Sequence, residues 1–188
     1  MVRKGKIMAH VYFTRHGQTI WNVENKICGS TDVALTALGR EQARELGQKI
    51  LAEGLQIDEI LYSPLMRAKD TALEVSEITG IPASEEPRLT EQSFGKYEAT
   101  ARNGAEFQEM KKSFVNHFGG GETMLHLAQR IYNLLDDIKS RSDNRTYLLV
   151  AHNGIARVIH SYFHDMTNEE YAAFGIRNCE IREYFFSS

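Results

Sequence analysis

The sequence is poor in the residues that staple or stiffen a chain. Two cysteines occur in 188 residues, Cys28 and Cys179, far apart in the chain. They make neither a disulfide framework nor a metal-binding pair, so a reducing cytoplasm is the expected location. Three prolines leave no room for a Pro-rich linker or a collagenous segment. No apolar run approaches the ~18 residues of a membrane span. The apolar stretch behind the basic residues Met1–Met8 is too short for a signal peptide, so no membrane partner is expected. Long blocks of like charge are also missing; the net charge is −3 and the pI about 6.2. That excludes a dedicated nucleic-acid binder while leaving room for a local basic pocket.

What is present reads as an ordinary globular chain, 42% hydrophobic and 25% charged. The length suits one domain able to bury roughly 70% of its unfolded surface without a metal or disulfide. Short β-rich apolar runs fall at Met8–Thr14, Ile57–Ser63, Tyr147–His152 and Ile181–Phe186. Several are continuous, as in strands buried on both faces. Between them, helical stripes appear: Ala43, Leu46 and Ile50; Leu65, Ala68, Ala72 and Val75; and Met124, Leu127, Ile131, Leu134 and Ile138. Thr36 and Gly54 bracket the first helix. Ser63 with Pro64 opens the second, which Gly80 closes, and Thr167 with Glu170 reads as a capping box. Strands alternating with helices predict an α/β fold, a three-layer α/β/α sandwich on a mostly parallel sheet. Weak periodicity and the Gly119-Gly120-Gly121 break mark the segment before Glu122 as an inserted helix with flexible ends.

Three strand–helix junctions carry the chemistry. Thr14-Arg15-His16-Gly17-Gln18-Thr19 follows the first strand, where open parallel sheets bind ligands. The Arg15 guanidinium disfavours imidazolium, which keeps His16 neutral and nucleophilic; Gly17 permits a tight turn and close approach. Arg67 falls in the first turn of the second helix, beside the positive end of its dipole, either as a solvated arginine or as the partner of an oxyanion guest. His152 ends the apolar run Leu148-Leu149-Val150-Ala151, either as a satisfied core group or as a site residue. Glu91 stands in an irregular segment before Phe94-Gly95.

Arg15, His16, Arg67, Glu91 and His152 fall in the order and context of the histidine phosphatase (phosphoglycerate mutase-like) superfamily, which this chain resembles over nearly its whole length. Trp21-Asn22, Gly29, Asp32, Leu35-Thr36, Gly39 and Gln42-Ala43 continue the family's opening motif. Ser63-Pro64-Leu65 with Arg67-Ala68 and Thr71-Ala72 matches its second motif, and Gly121-Glu122 resembles its Gly-Gly-Glu-Ser lead-in. The resemblance implies one such domain over residues 1–188, with a helical cap at about 95–121, acting on a small phosphorylated metabolite without cofactor or metal. A homodimer is compatible with the family.

By this resemblance, His16 attacks phosphorus to give a phosphohistidine that water hydrolyses. Arg15 and Arg67 clamp the phosphoryl oxygens, His152 donates a further hydrogen bond, and Glu91 is the general acid and base. Gln18, Asn22, the backbone of Cys28 and Gly29, and Asn153 complete the phosphate pocket. The chain departs from the pattern at Asn153-Gly154, where glycine commonly follows the histidine. It departs again at Tyr97-Glu98-Ala99, where Trp-Glu-Gly is usual, and at Asp70, where glutamine is frequent. Gln92 and Phe94 replace the arginine and tyrosine of the mutases, which favours a phosphatase. Arg102, where mutases carry lysine, keeps a cofactor-dependent phosphoglycerate mutase as the alternative. A catalytically silent phosphoryl-binding module is the reading from another class. His10, His117, His126, His160 and His164 show no metal-ligand spacing. Arg102 and His164 are candidates for the substrate entrance, and Lys111-Lys112 reads as a solvated helix face.

Overall fold

The structure, a computed structural model, describes residues 10–141 and 145–186. In chain order its elements are β1 (His10–Arg15), α1 (Ile20–Val23), α2 (Ala37–Glu53), β2 (Glu59–Tyr62), α3 (Met66–Thr79), β3 (Ala83–Glu85), α4 (Ala105–Met110), α5 (Met124–Ser140), β4 (Tyr147–Ala151), α6 (Asn153–Phe163), α7 (Asn168–Ala173) and β5 (Ile181–Phe185). Short 3₁₀ turns lie at Pro87–Leu89 and Gly95–Tyr97. Met8 and Ala9 of the first predicted strand lie outside the described residues.

The strands form one sheet in the order β3-β2-β4-β1-β5. The first four are parallel; β5 runs antiparallel to β1. Strand β4 is buried at every position, as its unbroken apolar sequence requires of a central strand. Alternation assigns the two faces. Val11, Phe13, Leu149 and Ala151 pack with α5 and α6, whereas Tyr12, Ile60, Tyr62, Leu148 and Val150 pack with α2 and α3. The α/β architecture with a mostly parallel sheet is therefore as the sequence predicts. The apolar stripe of α5 buries Leu127, Ile131, Leu134, Leu135 and Ile138, each worth roughly 1.5–3 kcal/mol of transfer free energy.

Local signals at the helix ends mostly act as read. Thr36 accepts from the Gly39 amide, Gly54 and Gly80 take left-handed C-caps, and Thr167 with Glu170 closes a reciprocal box. Helix α3, the second of the helices predicted from the sequence, is the exception. It starts at Met66, not at Pro64, and Ser63 is not its N-cap. The Met66 amide is instead capped across the fold by the Asp32 carboxylate at 2.7 Å, which frees the Ser63 hydroxyl for another partner. Asp70 faces α2, where Arg40 donates to it at 3.0 Å.

The strand order sets three junctions side by side, because β4 lies between β2 and β1. The Ser63 amide donates to the Val150 carbonyl at 3.1 Å and the His16 amide to the Ala151 carbonyl at 3.0 Å. Residues 63, 152 and 16 thus leave the sheet together at its carboxyl edge, where ligands of such sheets bind.

Candidate active site

Two glycines, Gly17 and Gly39, shape the loop that carries His16. A Cβ on Gly17 would lie 2.2 Å from the Gly39 carbonyl oxygen, and one on Gly39 would lie 2.1 Å from that of Gln18. The loop after β1 therefore touches the start of α2 backbone to backbone, and no side chain fits between. The Gly17 amide donates to Thr71 Oγ1 at 3.0 Å, while Asn178 Nδ2 donates to the His16 carbonyl at 2.7 Å.

His16 is almost fully buried, and its Nδ1 lies 2.7 Å from the Gly17 carbonyl. A carbonyl only accepts, so Nδ1 carries the proton and Nε2 keeps a free lone pair. Burial, then Arg67 and Arg15, push the His16 imidazole pKa well below its ordinary range. The ring thus stays neutral, with the Nε2 lone pair free. His152 is completely buried with its ring centroid 5.3 Å from that of His16. Its Nε2 is 2.7 Å from Ser63 Oγ, which also accepts weakly from the Leu65 amide. His152 Nδ1, buried and without a partner among the described residues, is the ring nitrogen left uncommitted.

Arg67 is entirely buried and donates to the carbonyls of Gly29 at 2.7 Å and Thr31 at 2.9 Å. Arg15 donates to the Ile176 carbonyl at 3.0 Å; burial first, then the facing Arg102, lower its pKa to about 10. Among the described residues the buried side-chain nitrogens without a partner are Arg15 Nε, Arg67 Nε, His152 Nδ1 and Arg157 Nε. A buried donor left unpaired costs about 1–3 kcal/mol, and here all four belong to one neighbourhood.

Glu91 is nearly buried, its two carboxylate oxygens accepting from the amides of Gln92 and Gly154, each at 2.9 Å. A Cβ on Gly154 would sit 2.3 Å from Glu91 Oε1. The glycine that follows Asn153 is therefore required, and Gly154→Ala should displace the carboxylate. We expect kcat to fall at least tenfold, read by steady-state phosphate release, with the melting temperature measured in parallel. Wild-type kcat in that variant would show that the carboxylate position is not critical.

The cleft beside these groups is lined by Arg15, His16, Asn22, Cys28, Glu91 and Asn153, all sequence candidates. Asn22 Oδ1 is taken by the Thr19 amide, and Asn153 Oδ1 by the Ile176 amide, both at 3.0 Å. Asn153 thus ties the second histidine's helix to the strap that holds Arg15. Gln18 departs from expectation: its Oε1 accepts from Thr36 Oγ1 at 3.0 Å and it does not line the cleft. Gly29 likewise serves Arg67 rather than the cleft wall. His164 packs on His160 and Tyr184 and lines a separate groove, so it is no entrance residue.

Arg102, an entrance candidate from the sequence, does line the cleft; Phe107, Lys111 and Arg157, which the sequence did not single out for the site, line it too, with Phe94. Lys111 is not a solvated face. Burial, then Arg157 and Arg102, lower its pKa to about 8, whereas Lys112 pairs with Glu109 at the surface. Arg157 stands one helical turn after Asn153, a signal available only once α6 is known to be a helix.

The sequence profile of the histidine phosphatase superfamily (branch 1) matches residues 11–187. The chain belongs to this superfamily. A probable phosphoglycerate mutase, GpmB, of Erwinia tasmaniensis is 32% identical over 181 residues, covering 93% of this chain and 83% of the relative. An uncharacterized phosphatase, PhoE, of Bacillus subtilis is 34% identical over 146 residues, 77% and 72% of the two chains. A mycobacterial glucosyl-3-phosphoglycerate phosphatase, solved in complex with VO3, superposes with a TM-score of 0.79 at 25% identity, over 93% of this chain and 90% of that one. Superfamily members act on small phosphorylated substrates, and no helix among the described residues of this member is long and apolar enough to cross a membrane.

The buried histidines set a pH dependence of stability. Both His16 and His152 have pKa values depressed by burial first and by arginines second. Below about pH 6.5 the unfolded chain binds protons that the folded protein refuses, so stability falls with pH by up to about 1.4 kcal/mol per unit per histidine. Above pH 6.5 neither state binds them and this contribution vanishes. Glu98 and Glu86, whose backbone and arginine partners lower their pKa values, act in the same direction only nearer pH 4.5. Urea midpoints should therefore hold from pH 7.5 to about 6.5 and drop steadily from there to about pH 5, less steeply in His16→Ala; a midpoint that stays flat down to about pH 5 would contradict the assignment.

Proposed function

We propose that this chain is a phosphomonoester hydrolase working through a phosphohistidine on His16. The observation that carries the reading is the fixed tautomer: Nδ1 is committed to the Gly17 carbonyl, leaving Nε2 as the attacking atom in the cleft. In the first step Nε2 forms a bond to phosphorus as the ester oxygen leaves and takes a proton from the protonated Glu91 carboxyl. In the second, Glu91 removes a proton from water, whose oxygen displaces the imidazole and releases phosphate. Arg15 and Arg67 balance the phosphoryl charge, and His152 Nδ1–H supplies a neutral donor. Positioned donors of this kind supply most of the catalysis in phosphoryl transfer. The segment 95–121 acts as the cap, through Arg102, Phe107 and Lys111.

The full set of two arginines, two histidines and a glutamate weighs against a silent binding module. Similarity to a probable phosphoglycerate mutase and the basic cleft wall give the mutase reading its support. The test is phosphate release from a panel of phosphomonoesters in EDTA, with trapping of an acid-labile, alkali-stable phosphoprotein. Turnover in EDTA with a trapped adduct on His16 is the expected result. Turnover that EDTA abolishes would overturn it, as would isomerisation of phosphoglycerate, primed by bisphosphoglycerate, in place of hydrolysis.

A further inference from the structure

The cations of the cleft exceed what one phosphoryl group needs. Arg15 on the cleft wall and Arg67, buried behind it and not lining it, are the pair the proposed mechanism sets against a phosphate monoester, whose charge near neutral pH is about −1.5 to −2. Three further cations, Arg102, Lys111 and Arg157, line the same cleft, and its one carboxylate there is Glu91. None of the three appears in an ion pair among the described residues, although most surface arginines here do, as Arg40, Arg44, Arg88 and Arg130 illustrate. Arg102 donates only to the Lys26 carbonyl at 2.9 Å. Arg157 is 9% exposed and its Nε has no partner. The three come from different parts of the chain: the stretch before α4, the end of α4, and the first turns of α6. Burial and mutual repulsion lower the pKa values of Arg102 and Lys111, so gathering them is unfavourable until an anion arrives.

We infer that Arg102, Lys111 and Arg157 form a second anion subsite, so that the substrate is a phosphomonoester carrying another anionic group, a carboxylate or a second phosphate. This rests on the reading of the cleft as a phosphoryl site. Phe94, Phe107 and Ile27 line the same cleft; they suit a short carbon skeleton between the two charges and exclude water around it. A site built to bind a charged group rejects the analogue lacking it, because its buried cations are left unpaired.

Two matched pairs separate the sources of the second charge. Glycerol 3-phosphate has a hydroxymethyl where 3-phosphoglycerate has a carboxylate; glucose 6-phosphate lacks the second phosphate of glucose 1,6-bisphosphate. In the wild-type protein kcat/KM should favour the doubly anionic member of at least one pair by roughly tenfold to a hundredfold. That ratio should fall toward one in Lys111→Met, a partly exposed position that tolerates the change, and in Arg157→Met, with Arg157→Lys restoring part of it. The same pairs are titrated calorimetrically into His16→Ala. A wild-type ratio near one, or a ratio that neither variant moves, would overturn the second subsite while leaving the hydrolase intact. A preserved binding ratio without hydrolysis of any compound would do the reverse.

Discussion

Replacing His16 by alanine is expected to lower kcat by about 10⁴-fold or more while leaving the affinity for phosphomonoesters within a few fold. The asymmetry follows from the site. The alanine removes the atom that bonds to phosphorus, but Arg15, Arg67 and His152 keep their own supports in Ile176, Gly29, Thr31 and Ser63. Folding should survive, because the side chain contributes one hydrogen bond to a carbonyl within its own loop. Single-turnover phosphate release, substrate titration and thermal melts measure the three quantities separately. A residual rate above about 1% of wild type would mean that water, or another group, attacks phosphorus directly.

The second large effect concerns Glu91. In Glu91→Gln, alkyl phosphates should lose about 10²- to 10⁴-fold in kcat, because the departing alkoxide no longer receives a proton. An aryl phosphate with an acidic phenol needs no such proton in the first step. With that substrate the variant should release a burst of phenol stoichiometric with enzyme and then stall, since the second step still needs a base for water. Stopped-flow absorbance reads burst and steady state together. The carboxylate also accepts from the amides of Gln92 and Gly154, and an amide nitrogen cannot accept, so the variant should be less stable by about 1–3 kcal/mol. Equal losses on alkyl and aryl substrates, without a burst, would make Glu91 a positioning group rather than a proton carrier.

The second subsite alters the expected substrate. A phosphatase with only the His16 cluster would hydrolyse many small monoesters with little discrimination, whereas three unpaired cations in the cleft demand a particular partner charge. Their carriers also explain why the departures at Gln92 and Phe94 matter: neither residue supplies charge, and Lys111 and Arg157 supply it from elsewhere in the fold.

The sequence by itself determined the α/β architecture and the strands of the sheet's centre, because those depend on local patterns, and its separated motifs taken together named the candidate site residues through the family they resemble. A short, continuous apolar run such as Leu148–Ala151 suits a strand buried on both faces, and His16, Arg67 and His152 each sit at a junction with its own short motif. Strand β3 was not legible, since Ala83-Ser84-Glu85 is short and polar and is held only by pairing with β2. The extent of helix α6 was not legible, because His152 caps it without a side-chain bond and no capping residue marks its start. The tertiary structure alone decided what lay between distant segments. It moved the cap of α3 from Ser63 to Asp32, turned Gln18 away from the cleft, sent His164 to another groove, and drew Lys111 and Arg157 into one wall. Those outcomes depend on which loops the sheet order brings into contact and on charges that meet only after folding, and no local pattern in the chain encodes either.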